Sequence, residues 1–218
     1  MASTPENRKV IERLYFITMD GTEADHVRQV EAACKAGIRW IQLRMKSADD
    51  DAFREAAFAA KKICKARDCA LFINDRVEIA REVKAHGVHV GKQDMSVAEA
   101  RRRLGEDALI GGTANTPEDI RMHYKQGADY IGLGPYRYTT TKKNLSPVLG
   151  LEGYRQIIIQ LRAEGIVIPV IAIGGIERKD VTDLFRVGVH GIAFSGMLVH
   201  AGDPLTTVRM LEAATAGS

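Results

Sequence analysis

Short apolar runs rich in β-branched residues recur along nearly the whole chain and alternate with stretches of helical periodicity. YFITM (Tyr15–Met19), WIQLR (Trp40–Arg44), ALFIN (Ala70–Asn74) and GVHVG (Gly87–Gly91) are followed by LIGGT (Leu109–Thr113), YIGLG (Tyr130–Gly134), VIAIG (Val170–Gly174) and GIAFS (Gly191–Ser195). Each has the length and bounding residues of a strand buried on both faces. Between them, Ala24–Ala36 puts Val27, Val30, Ala33 and Cys34 on one stripe, and Asp51–Arg67 does the same with Phe53, Ala57, Ala60 and Cys64. Thr116-Pro117-Glu118 reads as a helix start, and Leu151–Arg162 and Val181–Val187 complete the set. About eight βα units in 218 residues predict an α/β fold, a single (β/α)8 barrel over 1–218 with its core at about 15–211.

Charge and cysteine usage narrow the class. The chain carries 31 basic against 28 acidic residues, a small and dispersed excess. Arg101-Arg102-Arg103 has no interleaved aromatic residues and reads as a solvated helix face, so no nucleic-acid partner is expected. Cys34, Cys64 and Cys69 have no CxxC or metal spacing and read as reduced packing thiols of a cytoplasmic protein. The polar start MASTPENRKVIER lacks a signal-peptide core, and no run approaches the ~20 apolar residues of a membrane helix. Self-association stays open, because sequence alone does not locate exposed apolar patches.

Polar residues collect just past the strand candidates, where a parallel barrel builds its active site. Asp75 and Asp94 each follow a strand, one strand apart, and their carboxylates are hard ligands of the kind that hold Mg²⁺. Taken singly, each also reads as a helix cap. Gln42, Arg44 and Lys46 alternate, so an extended chain presents them on one side. There Arg grips phosphate oxygens bidentately and Lys adds a point charge, although a barrel interior also accepts a salt-bridged Arg. Asn74 stands beside Asp75. Tyr136–Gly150 is too long and polar for a tight turn and reads as a flexible lid, with Thr139, Thr140, Thr141 and Lys142 suited to enclosing an anion. Gly174-Gly175 and Ser195-Gly196 close the last two strands, where barrel loops often bind phosphate. The six histidines form no HExxH motif or triad and read as structural or surface residues.

QLRMK, FINDRVEIA, GVHVGKQDMS, IGGTANT, ADYIGLGPYRYTTTKK and IPVIAIGGI occur in that order, and the set from Tyr15 to Leu211 resembles thiamine phosphate synthases. The resemblance implies a transferase that joins a hydroxymethylpyrimidine diphosphate to a thiazole phosphate, or its carboxylated form, releasing diphosphate. It implies pyrimidine-diphosphate contacts at Gln42, Leu43, Arg44, Met45, Lys46, Asn74, Thr113 and Lys142, with Arg44, Lys46 and Lys142 catalytic. It implies one Mg²⁺ ion at Asp75 and Asp94, and thiazole-phosphate contacts at Thr139, Thr140, Thr141, Gly175, Ser195 and Gly196. The partners so implied are small-molecule substrates. The chain departs from many members in carrying Thr113 and Asn115 where they have Ser-x-His. That His is the proposed acid/base of the similar thiazole tautomerases, the alternative reading, and its absence favours the synthase. No well-placed His or Cys nucleophile is evident, which points to catalysis by positioning and charge.

Overall fold

The computed structural model describes residues 10–23, 25–138 and 147–216. Eight parallel strands, β1 (Leu14–Ile17), β2 (Trp40–Leu43), β3 (Ala70–Asn74), β4 (Gly87–Val90), β5 (Leu109–Ala114), β6 (Tyr130–Leu133), β7 (Val170–Ile173) and β8 (Gly191–Phe194), close in sequence order into a barrel. The helices are α1 (His26–Ala36), α2 (Asp50–Ala66), α3 (Val77–Glu82), α4 (Val97–Leu104), α5 (Pro117–Lys125), α6 (Gly150–Ala163), α7 (Val181–Arg186), α8 (Gly196–Val199) and α9 (Pro204–Ala216). The expected (β/α)8 barrel is the observed one, and several strands stop one or two residues short of the apolar run that predicts them.

Alternation along each strand divides the core in two. One set of side chains, including Phe16, Ile41, Leu43, Leu71, Ile73 and Val88, packs against the helices. The other fills the barrel with Tyr15, Ile17, Trp40, Phe72, Leu109, Tyr130, Ile171 and Ala193. The rings of Tyr15, Trp40, Phe72 and Tyr130 meet with centroids 4.4–6.1 Å apart, forming an aromatic floor under the mouth.

Local signals at helix starts act as written. Thr116 caps α5 in a reciprocal box with Asp119, with Pro117 at the first helical position. Ser96 caps α4 by accepting from the Glu99 amide. Cys34, Cys64 and Cys69 are free and buried, and the contact with Cys64, together with burial, holds the Cys34 thiol well above its usual range. Among the described residues, no helix is long and apolar enough to cross a membrane. The three arginines at 101–103 are paired: Arg101 with Asp129 and three carbonyls near its own helix end, Arg102 with Glu99, and Arg103 with Glu99 and Glu78.

Candidate active site

The carboxyl ends of β2, β3 and β4 bring the sequence-predicted charges together. Gln42 is buried and faces the lumen, in register with Ile17 and Phe72. Two residues on, Arg44 leaves the sheet with its backbone fixed by Thr18, whose hydroxyl accepts from the Arg44 amide at 2.9 Å. Its largely buried guanidinium approaches Asp20 at 4.0 Å. Burial pulls the Arg44 pKa down from its ordinary value, and the fields of Asp20 and Asp75 oppose that shift. His26 holds Asp20 in turn, with Nε2 at 3.2 Å from Asp20 and Nδ1 at 2.9 Å from the Thr18 hydroxyl.

Lys46 forms an ion pair with Asp75. Asp75 adopts a left-handed backbone, φ 63°, which a short polar residue tolerates better than most and which turns the chain sharply out of β3. Burial raises the Asp75 pKa, but hydrogen bonds to Lys46 and Asp94 outweigh it, and the carboxyl lies below its ordinary value. Asp94 shifts the other way: partial burial and the neighbouring Asp75 carboxylate push it up. Two carboxylates 19 positions apart in sequence therefore share one hydrogen-bonded cluster. Neither is a helix cap. Ser96 caps α4, and Arg76 precedes α3 without a side-chain cap bond. Asp94 accepts instead from the Gly91 amide at 2.8 Å, which bends the β4 exit back toward Asp75.

The stretch QLRMK divides by the pleat. Gln42 and Arg44 look into the mouth, whereas Leu43 is completely buried against the helices and Met45 packs on the same outer layer. The side chains of Leu43 and Met45 therefore face away from any ligand, and contact there would run through their backbone. Asn74 is buried at the end of β3, in register with His89. Thr113 lies inward on β5 with its hydroxyl 2.9 Å from His89 Nε2. Asn115 donates its amide to the Gly134 carbonyl and its backbone N–H binds Asp119, so it fastens β5 to β6.

Across the mouth, Gly175 has φ 66°, and a Cβ there would sit 2.9 Å from Arg137 Cβ. Ser195 follows β8 without a side-chain cap bond, and Gly196 begins α8, so both stand on the mouth side. Thr139, Thr140, Thr141 and Lys142 lie outside the described residues. The ends of that stretch are anchored, which corrects the sequence reading of a lid from Tyr136 to Gly150. Tyr136 is buried, and Arg137 grips Asp180 bidentately at 2.9 and 3.0 Å. Leu149 and Gly150 donate back to the carbonyls of Pro135 and Tyr136 at 2.9 and 3.0 Å.

The chain's sequence matches the profile of the family described as thiamine monophosphate synthase over residues 14–198. The chain belongs to that family. A thiamine-phosphate synthase of Bacteroides fragilis is 48% identical over 91% of this chain and 97% of its own length. One of Flavobacterium johnsoniae is 42% identical over 92% and 94%. Among solved structures, the thiamine phosphate pyrophosphorylase of Pyrococcus furiosus superposes with a TM-score of 0.81 at 31% identity, covering 94% of this chain and 96% of that one.

As a thiamine monophosphate synthase family member, the chain carries mouth residues that sequence reasoning passed over. Its sequence reads His89 as a structural or surface residue, yet His89 lies in the lumen touching Thr113 and is 8% exposed. Applying to β4 the alternation that singled out Gln42 would have found it. Asp20, His26 and the Arg137–Asp180 pair carry no local signature, because their partners are remote in sequence. A cavity of about 940 Å³ opens at the opposite, amino end of the strands, lined by Arg39, Asp68, His86 and Asp107 among others. None of the sequence-predicted site residues lines it.

Proposed function

We propose that this chain is a thiamine-phosphate synthase, a transferase that joins 4-amino-2-methyl-5-(diphosphooxymethyl)pyrimidine to a 4-methyl-5-(2-phosphoethyl)thiazole, or its carboxylated form, yielding thiamine phosphate and diphosphate. The observation that carries the reading is the convergence of Arg44, Lys46, Asp75 and Asp94 on one mouth. The donor set fits a hard divalent cation: two adjacent carboxylates, hydrogen-bonded to each other, with no capping duty. Asp75 and Asp94 would hold one Mg²⁺ ion, which when bound supplies charge neutralisation for a diphosphate leaving group.

The chain's own groups supply the rest. Arg44, restrained by Thr18 and Asp20, presents a fork to phosphate oxygens. Lys46 adds a point charge close to the same oxygens, and Lys142 a second by resemblance. Gln42, Asn74 and Thr113 bind the pyrimidine edge, and the aromatic floor excludes water from its underside. As the C–O bond to diphosphate lengthens, the aminopyrimidine carries the positive charge and the thiazole nitrogen attacks in line. The protein has only to hold both partners and balance charge. Thr139 to Thr141, Gly175, Ser195 and Gly196 are the proposed thiazole-phosphate contacts. Asn115 is engaged with the Gly134 carbonyl, which leaves the tautomerase alternative without its acid/base. The cytoplasm, where the three buried thiols stay reduced, is the proposed location.

The test incubates purified chain with both substrates and Mg²⁺, with mass detection of thiamine phosphate and a parallel assay of diphosphate. Equimolar appearance of the two is the expected result. Diphosphate release without thiamine phosphate, or no turnover, would overturn the reading.

A further inference from the structure

A continuous file of polar contacts crosses the barrel beneath the mouth. Gln42 Nε2 donates to the Tyr15 hydroxyl at 2.9 Å, and the hydroxyls of Tyr15 and Tyr130 lie 3.1 Å apart. The Tyr130 hydroxyl is 3.3 Å from His89 Nδ1, and His89 Nε2 is 2.9 Å from the Thr113 hydroxyl. Gln42 and Thr113, at the two ends, are proposed pyrimidine contacts. The three residues between them, 0–8% exposed, are not.

The backbone is shaped to admit the file. A Cβ on Gly111 would overlap the Tyr130 ring and stand 2.6 Å from His89 Nδ1. A Cβ on Gly132 would stand 2.8 Å from His89 Cε1. Two of the glycines in LIGG and YIGLG thus make room for His89 and Tyr130 rather than for a turn.

Each hydroxyl has one proton, and a ring nitrogen that accepts does not donate, so the donor at one end decides the direction of the whole file. With the Gln42 amide nitrogen on Tyr15, the direction is set. Tyr15 donates to Tyr130, Tyr130 donates to His89 Nδ1, and the His89 proton sits on Nε2, facing the Thr113 oxygen. Thr113 then has its own proton to offer upward. Gln42 Oε1, which takes up no hydrogen bond among the described residues, is left to accept. Burial holds both phenols well above their ordinary pKa, so they remain O–H donors across the neutral range.

We infer that Tyr15, Tyr130 and His89 are positioning residues that fix the hydrogen-bond polarity of the mouth, an acceptor at Gln42 and a donor at Thr113. A heterocycle with an amino group beside a ring nitrogen matches that polarity. Its oxo counterpart, with a carbonyl beside a ring N–H, presents the reverse and leaves buried groups unmatched. The inference rests on the proposed function, since it concerns how the same site chooses its pyrimidine.

The experiment compares kcat/KM for the 4-amino pyrimidine diphosphate and its 4-oxo isostere in wild type, Tyr130→Phe and Tyr15→Phe, with calorimetric binding of both compounds in parallel. Wild type should prefer the amino compound by at least ~100-fold. Each Phe variant keeps the ring packing and should lose about tenfold or more of that preference. The loss should appear in KM and Kd for the pyrimidine, with kcat within about threefold and KM for the thiazole phosphate unchanged. Having two variants that break different contacts keeps the test decisive if one fails to fold. Full preference in either folded variant overturns the inference while leaving the proposed function standing. Wild type that neither binds nor turns over the amino compound overturns both.

Discussion

The two ends of the barrel carry similar side chains in opposite circumstances. At the amino end, around the cavity there, polar groups are engaged by the fold itself. Arg39 donates to the carbonyls of Arg67 and Asp68 at 3.0 and 3.3 Å, and His86 Nδ1 accepts from the Leu71 amide at 2.9 Å. Nearby, Asp129 accepts from the Ile110 amide at 2.7 Å and from Arg101 at 2.5 Å. At the carboxyl end, Asp75 and Asp94 face each other and share one lysine, and Arg44 is held desolvated between two acids. That crowding of charge is suited to an anionic ligand and a cation. The proposed site thus lies where acids and bases crowd one another, away from the amino-end cavity.

The contrast breaks most visibly under substitution. Lys46→Ala or Asp94→Ala should lower turnover by at least ~100-fold, the size associated with losing one preorganised electrostatic contact. Arg39→Ala at the other end should leave turnover within about twofold. A pyrophosphate-release assay on the three variants checks this, and comparable losses at both ends would erase the distinction.

Beneath the mouth, Gly111→Ala forces a methyl into Tyr130 and His89. It should cost roughly 1–3 kcal/mol or more by urea denaturation, since neither ring has room to retreat in a packed lumen. Gly202→Ala meets nothing within 4 Å and should cost far less.

The two carboxylates should separate by sign. The folded pKa of Asp94 is raised, so the native state binds more protons than the unfolded chain between the ordinary carboxylate value and the folded one. Stability then falls as pH rises through that window, and Asp94→Asn should raise Tm at pH 7, with the gain disappearing below about pH 4. Asp75 is lowered, so it contributes stability above the ordinary range that is lost as pH falls through its folded pKa. Asp75→Asn should lower Tm at pH 7. Thermal melts across pH 3–7, roughly the span over which these groups titrate, read both signs.

Smallest of all, Arg39→Ala should cost about 0.5–1.5 kcal/mol in urea denaturation for its lost carbonyl contacts.

Much of this arrangement was legible in the sequence because burial on both faces forces apolar runs and the pleat forces alternation. Gln42 and Arg44 fell on the mouth side for that reason, and Leu43 and Met45 fell outside it for the same one. Strand ends were overread where the chain flares into the mouth, as at Arg44 and Gly91, since composition there stays strand-like after the ladder bonds stop. Asp75 and Asp94 could be read locally as caps; only the tertiary cluster, with Ser96 taking the cap of α4, separates the two readings. The Arg137–Asp180 grip, 43 positions apart, leaves no trace in spacing. The glycines of LIGG and YIGLG were visible, but their purpose depends on side chains from a different strand.

The most direct test of the carboxyl-end cation site titrates Mn²⁺, as a spectroscopic substitute for Mg²⁺, into the chain with inorganic diphosphate present, followed by electron paramagnetic resonance. The account predicts one site per chain in wild type and in Arg39→Ala, with affinity falling at least about tenfold in both Asp75→Asn and Asp94→Asn. Wild-type affinity in either carboxylate variant would contradict it.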